Sequence, residues 1–308
     1  MNSARIAVMG AGALGCYFGG RLAQSGAKVT LIARPANVEA IKRDGLILES
    51  GGTKTAIRLD ATTEPSGVRD AQLVLVCVKS ADTESAAKAI APYLAKDAIL
   101  VSLQNSIGNV ERIRAHADRP VAAGTVYTAA NMPGPGHVKH TGGGSIVLGG
   151  VPAWGIDDAK LTAIKQIFDA ANVPVEISSS IELVLWTKLM QNCCYNAVCA
   201  LTEKPYGEMA AVPEIRDVMG QAGYEVVALA QCKGVKLEPA AVEAALQRVV
   251  TMATTMSSTA QDLMKGKPTE IDYLNGLIAR ESKALGMPAP INAALAALVK
   301  LKEQKRKQ

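Results

Sequence analysis

The sequence predicts two domains: an N-terminal doubly wound α/β domain over residues 1–178 and an all-α domain over residues 179–308. Short apolar runs alternate with helical segments in the first half, as a parallel sheet with crossover helices requires. A glycine-rich turn joins the first such run to the first helix. Beyond about residue 179 the strand signal stops, and long stretches of helical period are broken at Pro205, Pro213, Gly234, Pro268 and Gly286.

The elements follow in order. RIAVMG is a short buried strand, GALGCYFGGRLAQSG an amphipathic helix ended by Gly26, and KVTLIAR a second strand, completing a βαβ unit. LILES and TAIRLD flank the turn residues GGTK and read as a hairpin. LVLVCVK, residues 73–79, is a buried strand followed by a helix to about residue 95, and AILVSLQN is the next strand. VAAGTVYT and GHVKHTGGGSIVLGG add strands and a hairpin. A helix near 158–171 and the short strand PVEIS complete the first domain.

The composition is that of a globular protein, with 49% hydrophobic, 20% charged and 4% aromatic residues in 308. The net charge of +5 is mild, and several positive charges fall in the last residues, KLKEQKRKQ, as the end of a solvated helix. No clustered basic face with base-reading residues is present, which argues against nucleic-acid binding. No apolar stretch reaches the 18 or so residues of a membrane span. The six cysteines lack a C-x-x-C pair and fall mostly in apolar patterns, as small buried hydrophobes in a reducing compartment do. MNSARIAVMG enters a strand without a charged leader, so the expected location is the cytoplasm.

The first strand runs into Gly10-Ala11-Gly12-Ala13-Leu14-Gly15, a G-x-G-x-x-G that opens a helix inside a βαβ unit. In that context the pattern is a Rossmann-type dinucleotide fingerprint. Gly10 allows the tight turn, Gly12 the approach of the pyrophosphate and Gly15 close helix–strand packing. The helix N-terminus offers N–H groups to the phosphates. The second strand ends in Arg34 without the acid that would bind a ribose 2′-hydroxyl. Arg34 suits a 2′-phosphate, with Lys79 a second positive charge, so NADPH/NADP+ is the expected cofactor. The competing reading leaves Arg34 an ordinary surface arginine.

Hydride transfer to a carbonyl leaves an alkoxide that needs a proton. His116 lies in a charged segment, and His137 and His140 sit on a glycine-rich hairpin without an acid cluster, so neither a histidine donor nor a metal site is expected. In WTKLMQNCCYN, Lys188, Asn192 and Asn196 recur every four residues. Four residues advance a helix by about 400°, which holds the three side chains within roughly 80° of one face. Thr187, Gln191 and Tyr195 widen that stripe. A solvated face would show the same breadth, so a polar pocket and a wet surface both fit. The later segment SSTAQDLMKGKPTEIDYLNG carries Ser257, Ser258 and Asp262, a Lys/Gly/Pro break and a new helix from Thr269-Glu270. Glu270, placed beside Lys188, would keep the amine charged as a general acid.

Together the glycine motif with LIAR, the K-x3-N-x3-N helix and SSTAQD followed by PTEIDYLNG resemble the ketopantoate reductase (2-dehydropantoate 2-reductase) family. The resemblance spans nearly the whole chain. It implies an NADPH-dependent reduction of ketopantoate to pantoate in pantothenate and coenzyme A synthesis. The implied fold pairs a Rossmann domain with a helical domain of the 6-phosphogluconate dehydrogenase C-terminal-like kind. By this resemblance Lys188 matches the catalytic proton donor and Glu270 the acid beside it. Asn192, Asn196 and Ser258 match substrate contacts, and Asn105 a residue near both nicotinamide and lysine. Gly10, Gly12, Ala13, Leu14, Gly15, Arg34 and Lys79 match cofactor contacts. Two positions depart from the pattern: Tyr206 in KPYGEM stands where an asparagine is common, and Asp82 where the family can offer glutamine. The first leaves room for another branched 2-oxo acid, the second for weaker NADP preference. A D-2-hydroxyacid dehydrogenase on the same fold and a non-catalytic NADP sensor are the alternatives. The helical domain can bury an apolar face against itself or a partner, which allows a homodimer.

Overall fold

The computed structural model describes residues 4–305, which form two compact units with the boundary between Ile181 and Glu182. The first holds strands β1 (Arg5–Met9), β2 (Lys28–Ile32), β3 (Leu46–Ser50), β4 (Thr53–Ile57), β5 (Asp60–Thr62), β6 (Leu73–Val76), β7 (Ile99–Ser102), β8 (Val121–Gly134), β9 (His137–Gly149) and β10 (Val175–Ile177). Its helices are α1 (Ala13–Gln24), α2 (Pro35–Asp44), α3 (Thr83–Ile90), α4 (Asn109–Arg114) and α5 (Asp158–Ala170). The second unit is helical: α6 (Ile181–Thr202), α7 (Tyr206–Ala210), α8 (Pro213–Cys232), α9 (Ala240–Thr251), α10 (Ser258–Met264), α11 (Asn275–Ala284) and α12 (Pro290–Lys305). The α/β-then-helical architecture expected from the sequence is the one observed. No helix among the described residues is long and apolar enough to cross a membrane.

The sheet runs β4-β3-β9-β8-β7-β6-β1-β2-β5, with β10 also beside β9. The pairs β1–β2, β1–β6, β6–β7 and β7–β8 are parallel. Successive residues of β6 are all buried, as in a strand covered on both faces. The chain order reverses at β1, whose neighbours β2 and β6 lie on either side, and ligands of open α/β sheets bind at such a switch point.

The hairpin expected around GGTK forms as β3 and β4, antiparallel and closed by Gly51 and Gly52 at φ +57° and +81°. TAIRLD does not continue as one strand. β4 stops at Ile57, and β5, two residues further on, pairs with β2 at the other end of the strand order. That short link requires the sheet to curl, and it curls around α1. A Cβ on Gly20 would lie 3.1 Å from Leu46 and 3.3 Å from Ile57, while one on Gly19 would lie 2.6 Å from Leu31. Small residues on α1 therefore let the helix touch the inner strands and the outer hairpin at once. Phe18 of α1 meets Phe168 of α5 edge-on, with centroids 6.0 Å apart. Two helices escaped the sequence reading: α2, opened by Pro35 at its first position, and the six-residue α4.

In the second unit α6 is buried nearly all round. Leu189, Met190, Cys193, Cys194, Ala197, Val198, Cys199 and Ala200 are all within 3% of full burial, the signature of a helix through the middle of a core. Helix α8 closes on it where Gly223 leaves no room for a Cβ, which would sit 2.7 Å from Cys194 Sγ. The helix expected from Thr269-Glu270 is a correction. Glu270 leads only a single 3-10 turn, Ile271–Tyr273, and α11 begins at Asn275. The Thr269 hydroxyl accepts from the Ile271 amide, and the Thr269 amide donates to the Glu303 carboxylate. These local bonds compete with a helical start.

Candidate active site

In the first unit the three motif glycines have separable physical roles. Gly10 has φ +101°, and a Cβ there would lie 2.6 Å from the Val78 amide nitrogen, so the turn after β1 abuts the turn after β6. A Cβ on Gly15 would lie 2.3 Å from the Gly10 carbonyl oxygen. Gly12 is different. It stands at the N-cap of α1, and a Cβ on it would meet nothing within 4 Å. The protein needs glycine at 10 and 15 for its own packing, whereas Gly12 borders open space at the mouth of the helix. The first-turn amides of Ala13, Leu14 and Gly15 have no partner inside the helix. This open cradle at the N-terminus of a twelve-residue helix fits the pyrophosphate of a dinucleotide. Cys16 in the same turn is not a reactive thiol: burial pushes it up to about 12.

The turns after β6 and β7 carry Lys79 and Asn105, both half-buried. A buried polar network joins them. Ser80 Oγ donates to the Asn105 carbonyl at 3.0 Å, and Asn109 Nδ2 donates to the same oxygen at 2.8 Å. Asn109 Oδ1 accepts from Thr83 Oγ1 at 3.0 Å and from Arg112 Nη2 at 2.7 Å, while Arg112 Nη1 donates to the Ser80 carbonyl at 2.8 Å. Gln104 Nε2 donates to Thr83 Oγ1 and to the Val78 carbonyl. Sequence reasoning missed Ser80, Gln104, Asn109 and Arg112. The one available signal was the density of amides in LQNSIGNVER, where Asn109 follows Asn105 by four. Arg34 is exposed at the N-cap of α2, directly after β2, and Asp82 is exposed at the N-cap of α3. His137 pairs with Glu49 at 3.0 Å, and His140 bonds Ser50 and stacks on Tyr17 with centroids 4.5 Å apart. Both histidines therefore serve the sheet.

In the second unit the Lys188 face of α6 is not a wet surface. Asn192 and Asn196 are 8% and 3% exposed, and Lys188 is half-buried. Burial, and to a lesser extent the Arg248 charge on α9, lower the Lys188 ammonium from its ordinary 10.5 to about 8. Arg248 was not singled out from sequence, because only tertiary packing brings α9 to α6.

Asn196 is held from two sides. Its side-chain oxygen accepts from the Tyr206 hydroxyl at 3.3 Å, and its main-chain carbonyl accepts from Ser257 Oγ at 3.1 Å. Ser257 also caps α10 by accepting from the Ala260 amide at 3.0 Å. Of the serine pair, Ser257 is thus the buried structural one, and Ser258 is exposed beside it. Glu270 is half-buried at the head of its 3-10 turn.

A curled, mixed sheet with a glycine-rich turn at its switch point, followed by a helical unit, is the architecture of a Rossmann-type oxidoreductase. Residues 6–153 match the family model described as ketopantoate reductase PanE/ApbA, and residues 180–303 its C-terminal counterpart. The chain belongs to the ketopantoate reductase family, oxidoreductases acting on a CH-OH group. It is 33% identical over 304 residues to the 2-dehydropantoate 2-reductase of Halobacterium salinarum, covering 97% of this chain and 99% of that one. A PanE/ApbA family ketopantoate reductase from Ralstonia eutropha JMP134 superimposes with a TM-score of 0.91 at 46% identity, over 99% of this chain and 100% of that one. A D-mandelate dehydrogenase, solved with NADH and anilino(oxo)acetate, gives a TM-score of 0.89 at 27% identity, over 99% and 100% of the two chains.

Proposed function

We propose that this chain reduces a small 2-oxo acid with NADPH, and that 2-dehydropantoate, giving pantoate for pantothenate and coenzyme A synthesis in the cytoplasm, is its substrate. The observation that carries the reading is the Lys188 face of α6, where an amine with a lowered pKa stands in line with two buried amides. Residues 1–178 form the NADP-binding domain in this reading, and residues 179–308 supply substrate binding and the acid. Gly10, Gly12 and the first-turn amides of Ala13, Leu14 and Gly15 would hold the pyrophosphate. Arg34 and Lys79 would meet the 2′-phosphate, and Asn105 the nicotinamide end. When bound, the dinucleotide supplies the hydride. Lys188 delivers its proton to the oxygen of the 2-oxo group, and a pKa near operating pH suits that transfer in both directions. Asn192, Asn196 and Ser258 orient the acid, and Glu270 assists the lysine.

A second reading, a D-2-hydroxyacid dehydrogenase using NADH, is favoured by two observations. They are the likeness to D-mandelate dehydrogenase and the exposed Asp82 carboxylate three residues after Lys79. The test is loss of 340 nm absorbance with NADPH or NADH and a panel of 2-oxo acids that includes 2-dehydropantoate and benzoylformate. Fast NADPH-dependent turnover of 2-dehydropantoate supports the first reading. NADH-dependent turnover confined to other acids moves the assignment to the second. Dinucleotide binding without turnover on any acid removes both.

A further inference from the structure

The Tyr206 hydroxyl bonds to the amide row of α6 through Asn196, and its place there is fixed by backbone. The Tyr206 amide donates to the Thr255 carbonyl at 3.0 Å and the Gly207 amide to the Ala253 carbonyl at 2.9 Å. A Cβ on Gly207 would lie 2.7 Å from the Ala253 Cβ, so the chain is seated as closely as it can be. The ring lies 5.1 Å from that of Tyr195 and is 5% exposed. Burial raises its phenol pKa, so the hydroxyl keeps its proton throughout the working range of an enzyme. The acceptor of that proton is Asn196 Oδ1 at 3.3 Å. Turning the amide over would leave a buried phenol proton without its acceptor, which is unfavourable. The amide is therefore held oxygen toward Tyr206, with its two N–H donors turned away from the phenol.

We infer that Tyr206 is a specificity-determining positioning residue: it locks Asn196 as a donor, so that this position reads an acceptor oxygen of the substrate and refuses an ammonium or other donor. The inference rests on the 2-oxo acid reading above and sharpens it. Lys188 and Arg248 are donors as well, and the lock makes Asn196 agree with them. The face then selects an anionic 2-oxo acid over its 2-amino counterpart, and without the lock the amide oxygen is free to turn outward.

The experiment is a double-mutant cycle on the full chain with NADPH, combining Tyr206→Phe with Asn196→Ala. Tyr206→Phe keeps the ring and removes the bond. The expected result is a 2-oxo acid KM about 3–10-fold higher, the range of one neutral hydrogen bond, with kcat and the NADPH KM within twofold. In the Asn196→Ala background the same change should have no further effect. An unchanged KM, or an equal loss in both backgrounds, overturns the inference. The Asn196 side-chain amide resonances, assigned by their disappearance in Asn196→Ala, give a readout independent of turnover. A displaced or averaged pair in Tyr206→Phe supports the lock, and an unmoved pair overturns it. If the wild-type chain turns over no 2-oxo acid, the functional reading falls, and the resonances still decide whether Tyr206 holds the amide.

Discussion

Ser80 donates from its hydroxyl to the main-chain carbonyl of Asn105 at 3.0 Å, joining the turn that carries Lys79 to the turn that follows β7. Asn109 is the hinge of the network, since it donates to that carbonyl and accepts from both Thr83 and Arg112. Asn109→Ala leaves several buried groups without partners, at about 1–3 kcal/mol each before relaxation. The expected outcome in urea unfolding is a loss of about 2–3 kcal/mol, with a dinucleotide KM several-fold higher. An unaltered urea midpoint would show that water replaces the amide without cost.

The glycine loop separates folding from binding. Gly15→Ala forces a Cβ to 2.3 Å from the Gly10 carbonyl, so the backbone must move. Overpacking of that kind costs about 1–3 kcal/mol or more and should lower Tm by several degrees. Gly12→Ala meets no atom and keeps an ordinary φ of −83°. Its Tm should stay within a few degrees of the parent, while dinucleotide affinity by fluorescence titration falls at least about tenfold through clash with the phosphates. Equal affinity in the Gly12 variant would remove the cradle from the binding site.

As the proposed proton donor, Lys188 has to be charged, so the reductive kcat/KM should fall as pH rises through about 8, and the reverse oxidation should rise over the same range. Arg248→Gln removes a like charge and should move both breaks to higher pH. Lys188→Ala should lower kcat by about 10²–10⁴-fold with the dinucleotide KM little changed. The stability sign follows from the same shift. The folded pKa lies below the ordinary 10.5, so the lysine's contribution to stability increases as pH rises from about 8 toward 10.5. A profile flat through pH 8 in both directions would exclude Lys188 as the donor.

Arg34→Ala should raise the KM for NADPH by about 10–100-fold, the worth of a charged hydrogen bond, and leave that for NADH nearly unchanged. An equal change for the two cofactors returns Arg34 to the ordinary surface.

Local chemistry made much of this readable in advance. The glycine set announced itself because it joined a strand to a helix, and Gly51-Gly52 marked a hairpin because only such residues take positive φ there without cost. Proline and glycine punctuation separated the later helices. Periodicity alone left the Lys188 stripe undecided between a wet face and a pocket, and only the family resemblance assigned it to the substrate. Burial of Asn192 and Asn196 decides against the wet face. Features made by distant segments were not legible. The nearness of Arg248 to Lys188, the Tyr206 hydroxyl on Asn196 and the jump of the chain from β4 to β5 each depend on packing that no window of residues encodes. Glu270 was misjudged as a helix start because the reach of Glu303 to the Thr269 amide lies 34 residues away.

The curl of the sheet around α1 makes that helix an axle, touched by the inner strands at Gly19 and by the β3–β4 hairpin at Gly20. Whatever pins the N-terminus of α1 therefore steadies strands at the far end of the sheet. Amides of Leu46 to Ile57, remote in strand order from the glycine loop, should exchange with deuterium more slowly once a dinucleotide is held at Gly12. The outermost hairpin then reports occupancy of a site that it does not line.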